Sequence, residues 1–66
     1  MIDVNKLRGI MAERRVSQSG LAHELGITPK TFYEKMKKGV FGSDEIQIMI
    51  DVLKINDPMA IFFAKE

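Results

Sequence analysis

The apolar residues of this chain recur at helical spacing, and helix start and stop signals stand between the apolar segments. Leu7 and Met11 are four residues apart, as on one face of a helix, and Asp3 precedes them where a helix cap is expected. Ser17 can cap a second, short helix. Gly26 can end it, because glycine readily adopts the left-handed conformation that closes a helix.

A third helix is predicted from the pair Thr28-Pro29. A threonine hydroxyl can accept a hydrogen bond from a free backbone N–H, and proline at the first helical position has no N–H to leave unpaired. We expect this helix to run to about Lys38 and to stop at Gly39. Residues 40–42 then form a loop, with Phe41 as an anchor in the core.

Two further helices follow. Ser43, with the acidic residues 44–45 in the first turn, opens a fourth helix. Its apolar positions are Ile46, Ile50 and Leu53. The pair Asp57-Pro58 repeats the cap-plus-proline signal and opens a short last helix. The apolar residues of that helix are Met59, Ile61, Phe62 and Phe63.

No segment has the alternating pattern of a strand. Five short helices with short connections predict an all-α fold, a compact bundle in a single domain that spans residues 1–66. Such a small chain is near the lower limit of what a hydrophobic core alone can stabilise. Because the chain has no cysteine, disulfides cannot add to that stability.

Helices two and three are joined in the pattern of a helix-turn-helix, over the segment SQSGLAHELGITPKTFYEKM, residues 17–36. Ala22 is small where the two helices must cross closely, Gly26 makes the turn, and Ile27 fills the corner. The residues expected to bury the inner faces are Leu21, Leu25, Phe32 and Met36.

The outward face of helix three is predicted to be rich in lysine. At about 100° per residue, a helix that turns Phe32 and Met36 to the core turns Glu34 to solvent. The residues around Glu34 on that face are Lys30, Thr31, Lys37 and Lys38, and Tyr33 lies at its boundary. Residues 30–38 hold four lysines and one glutamate, although the net charge of the whole chain is only +1. A local basic surface of this kind attracts phosphate, although lysines on an exposed helix face can equally serve solubility.

Several classes of protein are not expected. His23 is the one histidine, and without cysteine or a second histidine the sequence offers no metal-ligand cluster and calls for no cofactor. Asp3, Asp44 and Glu45 are interpreted as helix-start charges rather than catalytic carboxylates. No motif supplies a catalytic residue, so we do not expect an enzyme or a small-molecule substrate. No apolar run approaches the ~18 residues of a membrane span, and the first ten residues lack the pattern of a signal peptide. We therefore expect a cytoplasmic protein.

The same residues carry a family resemblance. Gln18, Leu21-Ala22 and the run from Leu25 to Thr28 resemble the helix-turn-helix core of phage repressor and Cro proteins. A second set of residues is similar to small Cro-like regulators of Gram-positive phages and prophages: Phe32, Lys35-Met36, Phe41, Glu45-Ile46, Leu53 and Ile61-Phe62-Phe63. The resemblance implies a lambda-repressor-like fold of about five helices, with helix three as the recognition helix in the major groove of DNA.

Roles in DNA binding are implied position by position. Gln18 would contact the DNA backbone and Thr28 a phosphate. The residues that would face bases are Pro29, Lys30, Thr31 and Glu34. Pro29 could make only apolar contact, for example with a thymine methyl, whereas Lys30 could donate to guanine O6 or N7. Glu34 would be repelled by phosphates unless it accepts from cytosine N4 or is braced by a lysine four residues away.

The remaining positions have less specific roles. Lys37 and Lys38 would bind phosphate without sequence preference. Tyr33 could contact the DNA backbone or pack between helices. Because Ile61, Phe62 and Phe63 are consecutive, they cannot all face one core, so Phe62 and Phe63 are candidate contacts of a homodimer.

The sequence thus predicts a sequence-specific regulator that binds a double-stranded DNA operator in a bacterial cell, where it would be associated with the nucleoid. The alternative is a helical protein-interaction module, such as an antirepressor or adaptor, that keeps the fold without binding DNA. RNA binding is less favoured, since aromatic residues do not form a platform for bases.

Overall fold

The computed structural model describes residues 2–63, so the first residue and the last three of the predicted domain 1–66 lie outside the described residues. The described chain forms five α-helices and no strand. The helices are α1 (Val4–Glu13), α2 (Gln18–Leu25), α3 (Pro29–Lys38), α4 (Ser43–Leu53) and α5 (Pro58–Phe62). The predicted all-α fold is confirmed, and α2 and α3 pack against each other as the two halves of a helix-turn-helix.

Four helices begin at the side-chain caps that the sequence predicts. The side chains of Asp3, Ser17, Thr28 and Asp57 each accept a hydrogen bond from the backbone N–H three residues further on, at 2.9 to 3.4 Å. Each cap satisfies one of the N–H groups that a helix start leaves without a partner. These local interactions fix where α1, α2, α3 and α5 start.

The two predicted glycine stops are also present. Gly26 ends α2 with φ 73° and Gly39 ends α3 with φ 71°, both in the left-handed region. The α4 helix starts at Ser43 as predicted, but its start is satisfied differently. The Glu45 carboxylate reaches back and accepts from the backbone N–H of Gly42 at 2.8 Å.

The core lies where α1 to α4 converge. The fully buried side chains include Leu7, Leu21, Ala22, Phe32, Met36, Met49 and Leu53. Phe41, from the loop after α3, is buried against Phe32, with the ring centroids 5.6 Å apart and the rings tilted by 52°. This contact confirms the predicted role of Phe41 as a core anchor.

The buried face of α4 differs from the face that apolarity predicts. Glu45, Met49 and Leu53 are buried, whereas Ile46 and Ile50 are only partly buried. The face is rotated because the Glu45 carboxylate has hydrogen-bond partners inside the protein. A pattern built on apolar residues alone cannot assign a glutamate to the core.

The last helix packs against the start of the chain. The Asp3 N–H donates to the Ile61 carbonyl oxygen at 2.7 Å, and α5 packs on α1. Ile61 and Phe62 are buried, while Phe63 is 55% exposed. The prediction that these three consecutive residues could not all enter one core is therefore confirmed.

Candidate nucleic-acid interface

The turn between α2 and α3 is short and closed by two backbone hydrogen bonds. The Gly26 N–H donates to the His23 carbonyl and the Ile27 N–H to the Ala22 carbonyl, both at 3.0 Å. These bonds satisfy carbonyl groups at the end of α2. Thr28 then caps α3 at once, so the start of α3 is held rigidly at a fixed place beside α2.

The outward face of α3 largely matches the predicted one. Its exposed residues are Pro29, Lys30, Glu34, Lys37 and Lys38. Phe32 and Met36, on the opposite face, are buried. Two residues differ from the simple wheel, since Thr31 is half-buried and Tyr33 is 55% exposed rather than at a boundary.

Thr28 and Thr31 form a pair at the start of α3. The Thr28 Oγ1 accepts from the Thr31 N–H at 3.1 Å, and the Thr28 hydroxyl donates to the Thr31 Oγ1 at 3.0 Å. The two hydroxyls thus share one hydrogen bond, which leaves the pair one hydroxyl proton for an outside acceptor such as a phosphate or base.

Gln18 is exposed at the first position of α2, beside an open groove that Arg8 and Ser17 also line. Because the Ser17 Oγ accepts from the Gly20 N–H, Ser17 is used as the cap and the Gln18 side chain is left free. Gln18 and the start of α3 thus lie at the N-terminal ends of two packed helices. Neither helix has an acidic residue in its first turn.

Glu34 is the one acidic side chain on the outward face. Among residues 2–63 the structure contains no ion pair within 4.0 Å at Glu34, so the lysines at positions 30 and 38 do not brace it. Its carboxylate can therefore accept hydrogen bonds from an outside partner. Bracing by a lysine, one of the two roles that the sequence suggests for Glu34, is not formed among the described residues.

Lys35 does not belong to the outward face, although it is one of the four lysines of the basic segment. Its Nζ lies 2.7 Å from both carboxylate oxygens of Glu45. Three lysines of α3 are therefore directed to solvent and one is used inside the protein. The sequence gave no indication of this pair, because the two residues are ten positions apart and a loop lies between them.

The two candidate dimer contacts differ in accessibility. Phe62 is only 2% exposed, because it fills the core of its own chain, so it is not available to a second copy. Phe63 is 55% exposed and Met59, one turn earlier on α5, is 63% exposed. An apolar surface on α5 is thus formed by Met59 and Phe63.

The described residues were also compared with the requirements of a metal site and of a membrane-spanning helix. No group of three or more histidine or acidic side chains within residues 2–63 is arranged to hold a metal ion. No helix in the same range has the length and apolarity needed to cross a membrane. No family model, curated protein or solved structure matches this chain.

Proposed function

We propose that this chain is a sequence-specific regulator that binds double-stranded DNA through α3 in the major groove. It would act in the bacterial cytoplasm by occluding a promoter, in the manner of the phage repressor and Cro proteins that its sequence resembles. One observation carries the proposal. The helix that follows the tight turn at Gly26 buries Phe32 and Met36 and presents Lys30, Lys37 and Lys38 to solvent.

The width of the major groove admits one α-helix, and base edges are read by side chains near the helix start. In α3 these are Pro29, Lys30, Thr31 and Glu34. Lys30 would donate to guanine, Pro29 would contact a thymine methyl, and the Thr31 hydroxyl would hydrogen-bond to a base edge. Glu34, whose carboxylate is not braced, would accept from cytosine N4 and so disfavour other bases.

The remaining contacts would be to the DNA backbone. Lys37 and Lys38 lie in the last turn of α3 and would bind phosphates, which adds affinity but no sequence information. Gln18, at the start of α2, would contact the backbone beside the recognition helix, and Tyr33 is exposed enough to contact a sugar or phosphate.

A different observation favours the alternative function. The last-turn lysines of α3 also complement the negative end of the helix dipole, and the chain has almost no net charge. A helical protein-interaction module without DNA binding would need no more than that.

A dimer fits the proposed function. A second copy could pack on the apolar surface formed by Met59 and Phe63, which are exposed one turn apart on α5. A two-fold dimer on a pseudo-palindromic operator would place its two recognition helices about 34–36 Å apart, one turn of DNA.

Selection of bound DNA from a random pool tests the proposal, followed by a salt titration of the enriched sequence. A specific binder enriches one half-site, and log K falls with log salt by ~0.9 for each phosphate contacted. If the selection enriches no sequence and salt has no effect on retention, the chain does not bind DNA and the interaction module becomes the better hypothesis.

The variant Lys30→Ala tests one of these contacts, and its matched control is Lys6→Ala. Lys6 is an exposed lysine on α1 and lines the groove toward Asp57 and Ala60, away from the outward face of α3. Lys6→Ala removes the same charge as Lys30→Ala, so a larger loss of affinity in the Lys30 variant shows that Lys30 lies at the DNA interface.

A further inference from the structure

The proposed recognition helix, α3, makes few direct packing contacts with α4. Both α3 and α4 pack principally on α2, and close backbone approaches between α3 and α4 are sparse. The connection between them holds a left-handed Gly39 and an exposed Val40. Side chains that join α3 to α4 directly can therefore adjust the angle that their common packing on α2 leaves between them.

One apolar and one polar side-chain contact link α3 to the loop and helix that follow it. The apolar contact is that of Phe41, in the loop, with Phe32. The other is polar: the Lys35 ammonium donates to both oxygens of Glu45, each at 2.7 Å. The Glu45 Oε1 also accepts from the Gly42 N–H at 2.8 Å, so one carboxylate holds the end of α3, the connecting loop and the start of α4.

This ion pair is partly shielded from water. The Glu45 side chain is 11% exposed and the Lys35 side chain 33% exposed. Replacing a buried ion pair by apolar residues often leaves stability unchanged or higher, because removing the two charges from water costs about as much as their attraction returns. The contribution of such a pair is then directional, since its geometry is fixed by hydrogen bonds.

We propose that the Lys35–Glu45 pair is a positioning device, which holds α3 at the angle that fits the major groove. The proposal rests on the proposed DNA-binding function. It assigns Lys35 no contact with DNA, although Lys35 belongs to the basic segment, and it gives Glu45 a role in specificity without touching a base.

The decisive variant is Glu45→Gln, since the amide oxygen can still accept from the Gly42 N–H while the ion pair is lost. Charge alone predicts that removing a carboxylate strengthens binding to all DNA. Positioning predicts the opposite for the selected sequence. We expect its affinity to fall about tenfold, the effect of losing one base contact, while affinity for random DNA stays equal or rises.

Asp44→Asn is the matched control. Asp44 is the neighbouring acidic residue in the first turn of α4, it is exposed, and the substitution changes the net charge by the same amount. The control should strengthen binding to selected and random DNA alike. Lys35→Met should leave the salt slope unchanged, and Lys35→Arg should keep specificity, because a guanidinium can also donate to both carboxylate oxygens.

A measurement without DNA separates the two proposals. The chain has no cysteine, so spin labels at Lys37→Cys and Gln47→Cys report the α3–α4 distance in the free protein. We expect Glu45→Gln to broaden that distance distribution and Asp44→Asn to leave it unchanged, with circular dichroism showing that both variants keep their helices.

Each outcome decides a different point. If the wild type enriches no DNA sequence, the proposed function fails, and the distance distributions alone decide whether the pair positions α3. If Glu45→Gln binds selected DNA as the Asp44 control does and keeps the narrow distribution, the positioning role is wrong. If Lys35→Met lowers the salt slope by ~0.9, Lys35 is a phosphate contact and the proposal is overturned.

Discussion

The Arg14 Nε donates to the Leu53 carbonyl oxygen at 2.9 Å, which joins the end of α1 to the end of α4. The same guanidinium lies 3.5 Å from the Lys54 carbonyl through its Nη2 and 3.2 Å from the Glu13 carboxylate through its Nη1. A cation at a helix C-terminus stabilises the carbonyls that have no partner within the helix. Lys54 itself has φ 51°, so α4 ends in the left-handed conformation without a glycine, and the Arg14 contact adds to the backbone hydrogen bonds that close it.

Arg14→Met should therefore lower the free energy of unfolding by about 1–2 kcal/mol, the range of a hydrogen bond to a charged group combined with the helix dipole. Urea denaturation checks this, with an unchanged m-value indicating that only stability has moved. Arg8→Met is the control, because Arg8 is an exposed cation on the same helix without an ion pair among the described residues. Equal losses in both variants would mean that the contact with α4 contributes nothing.

Two glycines should respond to alanine in opposite directions. Gly9 lies inside α1, and a Cβ there would meet no atom within 4 Å. Gly9→Ala should stabilise the protein by roughly 0.5–1 kcal/mol through helix propensity and a less flexible unfolded chain. Gly26→Ala should destabilise it by about 1–2 kcal/mol, since φ 73° is left-handed. Thermal unfolding followed by circular dichroism measures both, and a neutral Gly26→Ala would show that the turn is not held in this conformation.

Substitutions of Lys30 and Lys38 should have different effects on DNA binding, because the two lysines are proposed to contact different parts of the DNA. Both are exposed on α3, but Lys30 lies in its first turn and Lys38 at its end. Lys30→Ala should cost about 1–3 kcal/mol on the selected DNA and relax the preference at one base position. Lys38→Ala should weaken binding to all sequences alike and lower the salt slope by ~0.9. Binding titrations against single-base variants distinguish the two effects. If both substitutions weaken all sequences alike, the proposed docking of α3 in the major groove is wrong.

The dimer is best tested at Phe63. Sedimentation at micromolar concentrations should show a dimer of the wild type that dissociates in Phe63→Ala without loss of helix content. Phe62→Ala is unsuitable, because truncating this buried ring should cost about 3–5 kcal/mol of stability whatever its role in assembly. A wild type that stays monomeric throughout that range would remove the dimer hypothesis.

Local signals in the sequence explain most of what could be predicted about the fold. The caps at Asp3, Ser17, Thr28 and Asp57 and the glycine stops act within four residues, so their spacing in the chain already contains their geometry. For the same reason the outward face of α3 followed from its own residues once Phe32 and Met36 were assigned to the core.

Contacts between distant positions had no such signal. The Lys35 ammonium and the Glu45 carboxylate meet across a loop, and Arg14 reaches Leu53 across 39 positions. From the sequence alone, each of these three charged side chains could equally have faced solvent. Of the four lysines in residues 30–38, three face solvent and Lys35 is used in an ion pair within the protein.

By itself, the sequence determined five helices, where they start, where α2 and α3 stop, and the helix-turn-helix that gives α3 its exposed face. Only the tertiary structure decided that Glu45 is buried, that Lys35 pairs with it, that Glu34 is left unbraced and that Phe63 rather than Phe62 is exposed. The physical reason is the range of the interactions. Caps and periodicity are properties of neighbouring residues, whereas the partner of a charge and the burial of a ring depend on how complete helices pack.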